Sequence, residues 1–227
     1  MSESVTLEYI GHSCFLITAP DGTRIVSDPY GWSHPKGLSA FPDDIHADVV
    51  TISHTYHTDH SNAAAIGGTP RVLTKPGSHQ VGIVSITGSK SDHGLVNGVS
   101  RGDNTVFVFE IGEIKIAHLG AAGVVTQADV LAAINNADVI TIDLHGDAAH
   151  PLGEQVTQTQ RVNARTMIPI HYSLDKHSRY GDALTLDEFL QALPQEAVVV
   201  RNVSSIQVTS DMPERVAILT PLALVSE

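Results

Sequence analysis

The sequence predicts an α/β fold of two packed sheets flanked by helices, a layered sandwich in one domain over residues 1–227. Three observations predict it. Short β-branched or alternating segments crowd both ends of the chain, helical spacing appears between them, and 227 residues suit one domain with a sizeable core. No internal repeat or low-complexity segment interrupts the pattern.

Residues 5–10 alternate and meet Gly11-His12, after which 13–18 and 23–26 read as strands around the turn Pro20-Asp21-Gly22. From Ser27-Asp28-Pro29-Tyr30 a Gly/Pro/Ser-rich stretch runs to Pro42, too long for a tight turn and typical of a functional surface loop. Residues 49–52 read as a buried strand, and Ser61-Asn62-Ala63-Ala64-Ala65 opens a helix. Short strands are expected at 71–74 and 81–87, the second leading into a polar loop over 88–94 that carries His93. A hairpin at 105–111 and 114–118 turns around Gly112-Glu113, and its second strand runs out at His118.

Val130, Leu131 and Ile134 give a helix over 126–136 with Thr126 as N-cap. The strand 139–142 then ends at Asp143-Leu144-His145-Gly146-Asp147. A weaker helical pattern covers 153–163, and the apolar run 166–170 stops at His171. Thr185 and Glu188 stand in capping-box spacing at the head of a helix over 185–193, and strands at 197–200, 205–208 and 216–219 close the chain.

The chemistry concentrates where the strand 49–52 ends. His54, His57, Asp59 and His60 place four metal-competent side chains within seven residues. Such spacing on an irregular loop lets imidazoles and a carboxylate converge on one point, which suits Zn2+ or a neighbouring first-row ion, and the carboxylate supplies a base beside it. The competing reading is a polar loop whose histidines are solvated or cap the next helix. Isolated histidines are ordinary, but a cluster of this density is not. The chain holds 13 histidines and one cysteine, so a metal site must be built from imidazole and carboxylate, which favours catalytic over structural zinc.

Composition narrows the partners. A net charge of −12, with no Lys/Arg run, leaves nucleic acid mostly repelled. Cys14 cannot form an internal disulfide and reads as a core residue. The amino terminus lacks a secretory pattern and no apolar run reaches membrane-span length, so a cytoplasmic protein without a membrane partner is expected, with a small-molecule substrate. A homo-oligomer is left open.

Several stretches together resemble the metallo-β-lactamase-fold hydrolases, specifically the small bacterial branch similar to ascorbate-6-phosphate lactonase. They are Gly11-His12-Ser13-Cys14-Phe15-Leu16-Ile17 with Ser27-Asp28-Pro29-Tyr30, the stretch from Ser53 to His60, and Ile168-Pro169-Ile170-His171-Tyr172. The segment Thr185-Leu186-Asp187-Glu188-Phe189-Leu190 resembles the closing helix of that branch. The resemblance implies a four-layer αββα sandwich. It implies His54, His57 and His93 around one metal and Asp59, His60 and His171 around another, with His12 and His118 nearby as outer groups or simple loop hydrogen-bonders.

Two departures alter that picture. Thr55 and Tyr56 both separate His54 from His57 where the family has one residue, so either the loop bulges to keep His54 as a ligand or that ligand is displaced. His118-Leu119-Gly120 is followed by Ala121 where the family commonly carries a bridging aspartate. Losing that carboxylate weakens dinuclear occupancy and makes a mononuclear site credible, unless Asp143, His145 and Asp147 rebuild the site.

A bound divalent ion lowers the pKa of its water from about 16 to about 7 and polarises the oxygen under attack. Asp59 is expected to orient the resulting hydroxide and take its proton, with His171 or His145 steadying the oxyanion. The expected function is therefore a metal-dependent hydrolase of a small ester, lactone or phosphoester, holding one or two Zn2+ per chain, with Mn2+ or Fe2+ fitting the same donors. A phosphodiesterase or nuclease of the same fold would need a basic groove or a clamp domain, and a degenerate member would bind metal or a ligand without turnover. Substrate choice falls to loops at 31–42 and 146–153, and Tyr30, Trp32, Tyr56 and Tyr172 either line the pocket or pack in the core. His34, His46, His79, His150 and His177 read as surface residues.

Overall fold

The computed structural model describes residues 4–31, 37–56, 58–96, 99–100, 102–145, 151–174, 183–195 and 197–224. Strict alternation builds the first sheet: β1 (Val5–Gly11) turns Val5, Leu7 and Tyr9 inward and pairs antiparallel with β2 (Cys14–Thr18). β3 (Arg24–Ser27) continues the meander, and the β-branched β4 (Val49–Thr51), buried throughout, adds in parallel, followed by β5 (Arg71–Leu73). The expected helix at 61–65 is only a one-turn 3-10 segment, Ala63–Ala65, because Ile66 is already extended and Gly67-Gly68 follows.

The second sheet opens differently from expectation. The predicted strand 81–87 is a hairpin, β6 (Gly77–Val81) and β7 (Val84–Asp92), because Gly82 takes φ +53 and turns the chain. The stretch 88–94, expected as a polar loop, stays in β7 as far as Asp92, held by ladder pairing that offsets its polar composition. A short ribbon, β8 (Leu95–Val96) with β9 (Val99–Ser100), precedes the expected hairpin of β10 (Asp103–Ile111) and β11 (Ile114–His118).

Two parallel crossovers follow. α1 (Ala128–Ile134) links β11 to β12 (Val139–Asp143), and α2 (Leu152–Arg161) links β12 to β13 (Thr166–Ile170). α1 is capped by Gln127 rather than Thr126 and is shorter than its apolar spacing suggested. Pro169 sits within β13, where the ladder to the neighbouring C-terminal strand covers only Thr166 and Met167, so its missing N–H falls beyond that pairing. α3 (Leu186–Ala192) carries the full capping box, Thr185 accepting from Glu188 N while the Glu188 carboxylate accepts from Thr185 N. Thr185→Ala should cost about 1 kcal/mol, read as a lowered urea midpoint.

β14 (Val199–Val203), β15 (Ser205–Val208) and β16 (Arg215–Leu219) complete a six-stranded sheet ordered β15-β1-β2-β3-β4-β5 and an eight-stranded one ordered β14-β16-β13-β12-β11-β10-β7-β6. The chain changes sheet between β5 and β6, again between β14 and β15 and back between β15 and β16, which stitches both lateral edges of the sandwich. Between the sheets lies the main core, where Leu7, Tyr9, Phe15 and Ile25 meet Ile86, Phe107, Phe109 and Ile114. Each such burial contributes about 1.5–3 kcal/mol.

The outer face of the larger sheet, through Val106, Val108 and Ile140, packs on Val130 and Ile134 of α1. The outer face of the smaller sheet, through Leu16, Val26 and Val50, is covered among the described residues by Tyr30, Leu38, Ile45 and Ile66. Four layers result, the one over the smaller sheet being made there of loop and 3-10 turn. Among the described residues, no helix is long and apolar enough to cross a membrane.

Candidate metal centre

Strand ends supply the site. His12 follows Gly11 at the end of β1, Asp28 follows β3, Ser53 and His54 follow β4, and His93 follows β7. His118 ends β11, Asp143 ends β12 and His171 follows β13. Asp59 and His60 come from the loop beyond β4, and all of these side chains are buried. Three of the residues adopt left-handed backbone without being glycine: His12 (φ 58), Asp28 (φ 43) and His171 (φ 57). That conformation costs about 1–3 kcal/mol per residue, so its concentration here marks a region whose geometry is imposed by its surroundings. His12 and His171 are locked to each other by a hydrogen bond from His171 N to His12 O of 3.0 Å, and Tyr9 donates to the same carbonyl at 2.8 Å.

His12, His60 and His171 bring one ring nitrogen each to within 4.8 Å of one another. Ring centroids lie 4.1 Å apart for His12–His171, 4.9 Å for His12–His60 and 5.5 Å for His60–His171. Asp59 Oδ2 is 3.7 Å from His12 Nε2. The cluster extends on the other side of His60, whose ring is 4.2 Å from that of His54, and His54 is 4.8 Å from His93. His60 thus stands between two groups of donors.

Asp28 organises this array from behind. It is fully buried and accepts from Ser53 N at 2.6 Å, Ser53 Oγ at 2.7 Å and His118 Nε2 at 2.8 Å, with His60 Nδ1 at 3.6 Å. Burial pushes the Asp28 carboxyl up, but the hydrogen bonds and charges of His118 and His60 overcome it and hold the group well below the usual carboxylate range. Burial pushes His60 down, and the carboxylates of Asp28, Asp59 and Asp143 overcome that and raise it. Because Ser53 Oγ donates its proton to Asp28, it accepts from His54 Nδ1 at 3.3 Å, which places the His54 proton on Nδ1. His118 is spoken for: Nε2 donates to Asp28, and Nδ1 accepts from Thr141 Oγ1 at 3.3 Å.

Burial and the neighbouring His171 charge lower His12 to about 3, and burial with the His60 charge lowers His54 to about 2. Both imidazoles are therefore neutral near pH 7, the form that ligates metal. Asp143 Oδ1 lies 3.1 Å from His171 Nδ1 and accepts from His145 N at 2.9 Å, and the His145 ring is 5.1 Å from that of His171. Gln155 of α2 donates to the Asp143 carbonyl at 2.7 Å, fixing this strand end. The donor set, imidazoles with carboxylates behind or beside them, fits a first-row divalent cation.

The predicted residues divide accordingly. His54, Asp59, His60, His93 and His171 are brought together, and His12, expected as an outer group, joins His60 and His171 at the centre. Asp143 and His145 gather at His171, while His57 and Asp147 lie outside the described residues, as do Trp32, His34, His150 and His177. Parts of the loops 31–42 and 146–153 also lie outside them. Tyr30 and Tyr172 are core residues, whereas Tyr56 is 58% exposed on a cleft beside His54; His46 is exposed and His79 half-buried. Asp28 was missed as a site residue. Its position directly after a strand end, before Pro29, was the available signal.

Ala121 is buried, and its backbone N–H donates to Asn104 Oδ1 at 3.2 Å. Gly120 before it has φ +59, and a Cβ there would fall on the Ser53 side chain. Gly120→Ala should cost about 2–5 kcal/mol and loosen the metal site by displacing Ser53. Thermal unfolding followed by metal titration would read both.

Fold and donor set define a two-sheet metalloprotein sandwich with its site at the strand ends. The chain belongs to the beta-lactamase superfamily domain family, whose model matches residues 6–171. It is similar to a protein from Thermotoga maritima assigned as a zinc-dependent hydrolase of the metallo-β-lactamase superfamily, at 27% identity and TM-score 0.75, covering 95% of this chain and 98% of that one. It is also similar to UPF0173 metal-dependent hydrolases. That of Methanoregula boonei is 26% identical over 74% of this chain and 82% of its own length, and that of Carboxydothermus hydrogenoformans 24% over 74% and 84%.

Proposed function

We propose that the chain is a metal-dependent hydrolase of a small ester, lactone or phosphoester. The observation that carries this is the convergence of buried His12, His60 and His171 on one point, with Asp59 beside them. In this reading these imidazoles hold the cation, and His54 and His93 flank a second position. Zn2+ suits the donors best, and Mn2+ or Fe2+ fits the same set. When bound, the metal supplies Lewis-acid polarisation and a lowered pKa for coordinated water, to about 7.

The chain's own residues do the rest. Asp59 orients the attacking water and accepts its proton, Asp28 and Asp143 fix the rings of His60 and His171, and His145, whose ring lies beside that of His171, faces the developing oxyanion. A cleft of about 470 Å³ reaches the cluster at His54 and is lined by Ser53, Tyr56, Lys75 and Lys90, which gives a small substrate an approach. The lactone option rests on the resemblance of the segments around His12 and His171 to the lactonase branch.

Ala121 favours one second reading, a member that binds metal without turnover. Plasma mass spectrometry of metal per chain, after re-equilibration with Zn2+, Mn2+ or Fe2+, together with a screen of lactones, esters and phosphoesters, separates the two. Metal with turnover supports the hydrolase. Metal without turnover on any of the three classes selects the second reading, and no metal at all rejects both.

A further inference from the structure

A second cavity, of about 490 Å³, opens where the N-terminal ends of β13 and β16 meet α2 and the segment after α3. Its polar wall carries Arg165, Arg215 and Gln160, and its apolar wall Met167, Leu193 and Val198. Arg165 precedes the first residue of β13 and His171 follows the last, so about 20 Å of strand separates this cavity from the histidine cluster. It is not part of the metal centre.

The two arginines are unequal. Arg165 is engaged, Nη1 donating to Met212 O at 3.3 Å and Nε lying 4.0 Å from Asp138 Oδ1. Arg215 has a buried Nε with no hydrogen-bond partner among the described residues. A buried guanidinium donor without an acceptor is costly, and the planar fork of arginine matches a carboxylate through two parallel hydrogen bonds. Among the described lining residues, Glu214 is the one acidic side chain beside the two guanidiniums. With Arg165 lying against Asp138, Arg215 is the guanidinium that remains to receive an anionic group. Val198, 60% exposed on the rim, adds apolar surface that water meets when the cavity is empty.

We propose that this cavity is a second ligand site, for a small carboxylate carrying an apolar body, whose carboxylate pairs with Arg215 and whose tail lies along Met167, Leu193 and Val198. The volume falls within the range of small-molecule sites.

The test uses the metal-loaded protein and hexanoate as probe, followed by backbone amide NMR, with hexanol supplying the tail without charge and inorganic phosphate the charge without tail. Saturable shifts at residues 159–167 and 214–216, with low-millimolar affinity for hexanoate and about tenfold weaker binding of either comparator, are expected. Arg215→Met should weaken hexanoate by about tenfold or more. Val198→Asp, on the exposed rim and outside the core, should do the same through charge repulsion and serves if the arginine variant fails to fold. Absence of saturable shifts, shifts confined to residues around His171, or unchanged affinity in a folded Val198→Asp or Arg215→Met variant would overturn the proposal.

Discussion

Asp28→Asn should destabilise the metal-free protein by about 3–5 kcal/mol and weaken metal binding by about 10–100-fold, although Asp28 belongs to neither group of predicted ligands. The carboxylate is fully buried and is the common acceptor of Ser53 N, Ser53 Oγ and His118 Nε2, with His60 Nδ1 close by. An amide keeps the shape but removes the charge and turns a donor toward groups that already donate. The His60 ring then loses its anchor, and the Ser53 hydroxyl loses the acceptor that fixes the His54 tautomer.

Urea unfolding and competitive metal titration read the two effects, and pH gives a third. The folded-state pKa of Asp28 lies below that of the unfolded chain, about 3.9, so its stabilisation is complete above that value and is lost as pH falls toward the folded pKa. The variant should therefore show a shallower loss of stability on acidification. Equal acid limbs in the two proteins would contradict this account.

His60→Ala should abolish stoichiometric metal binding and reduce hydrolysis by more than the roughly 10–100-fold of an outer partner. Among the described residues, His60 is the imidazole that neighbours both groups, its ring 4.9 Å from His12 on one side and 4.2 Å from His54 on the other. Removing it deletes a donor from the triad of His12, His60 and His171 and leaves Asp28 facing a void. His46→Ala, at an exposed histidine, should change neither metal content nor turnover. If the His60 variant retained full metal content, the centre would have to be sought around His54 and His93 instead.

Much of this was legible because it is local. The β-branched run 49–51, the alternation of residues 5–9 and the Thr185/Glu188 box are set by neighbours in sequence, and each produced its element. Histidines directly after such runs could be placed at strand ends without knowing which strands would meet. Polar composition misled at 88–94, where pairing with β10 keeps the chain extended to Asp92, and a glycine turn at Gly82 divided a stretch whose spacing suggested one strand.

By itself the sequence determined the donor chemistry, imidazole and carboxylate with a lone buried cysteine, and delivered His54, His93 and His171 to strand ends and His60 to the loop beyond one. Only the tertiary structure decided that His12 joins His60 and His171, that Asp28 rather than a residue after Gly120 anchors the array, and that Arg165 and Arg215 share a cavity at the far end of β13. Those outcomes depend on contacts between segments remote in sequence, such as the bond from His171 N to His12 O. Periodicity records which face of its own strand a residue occupies, and carries no term for which strand lies beside it.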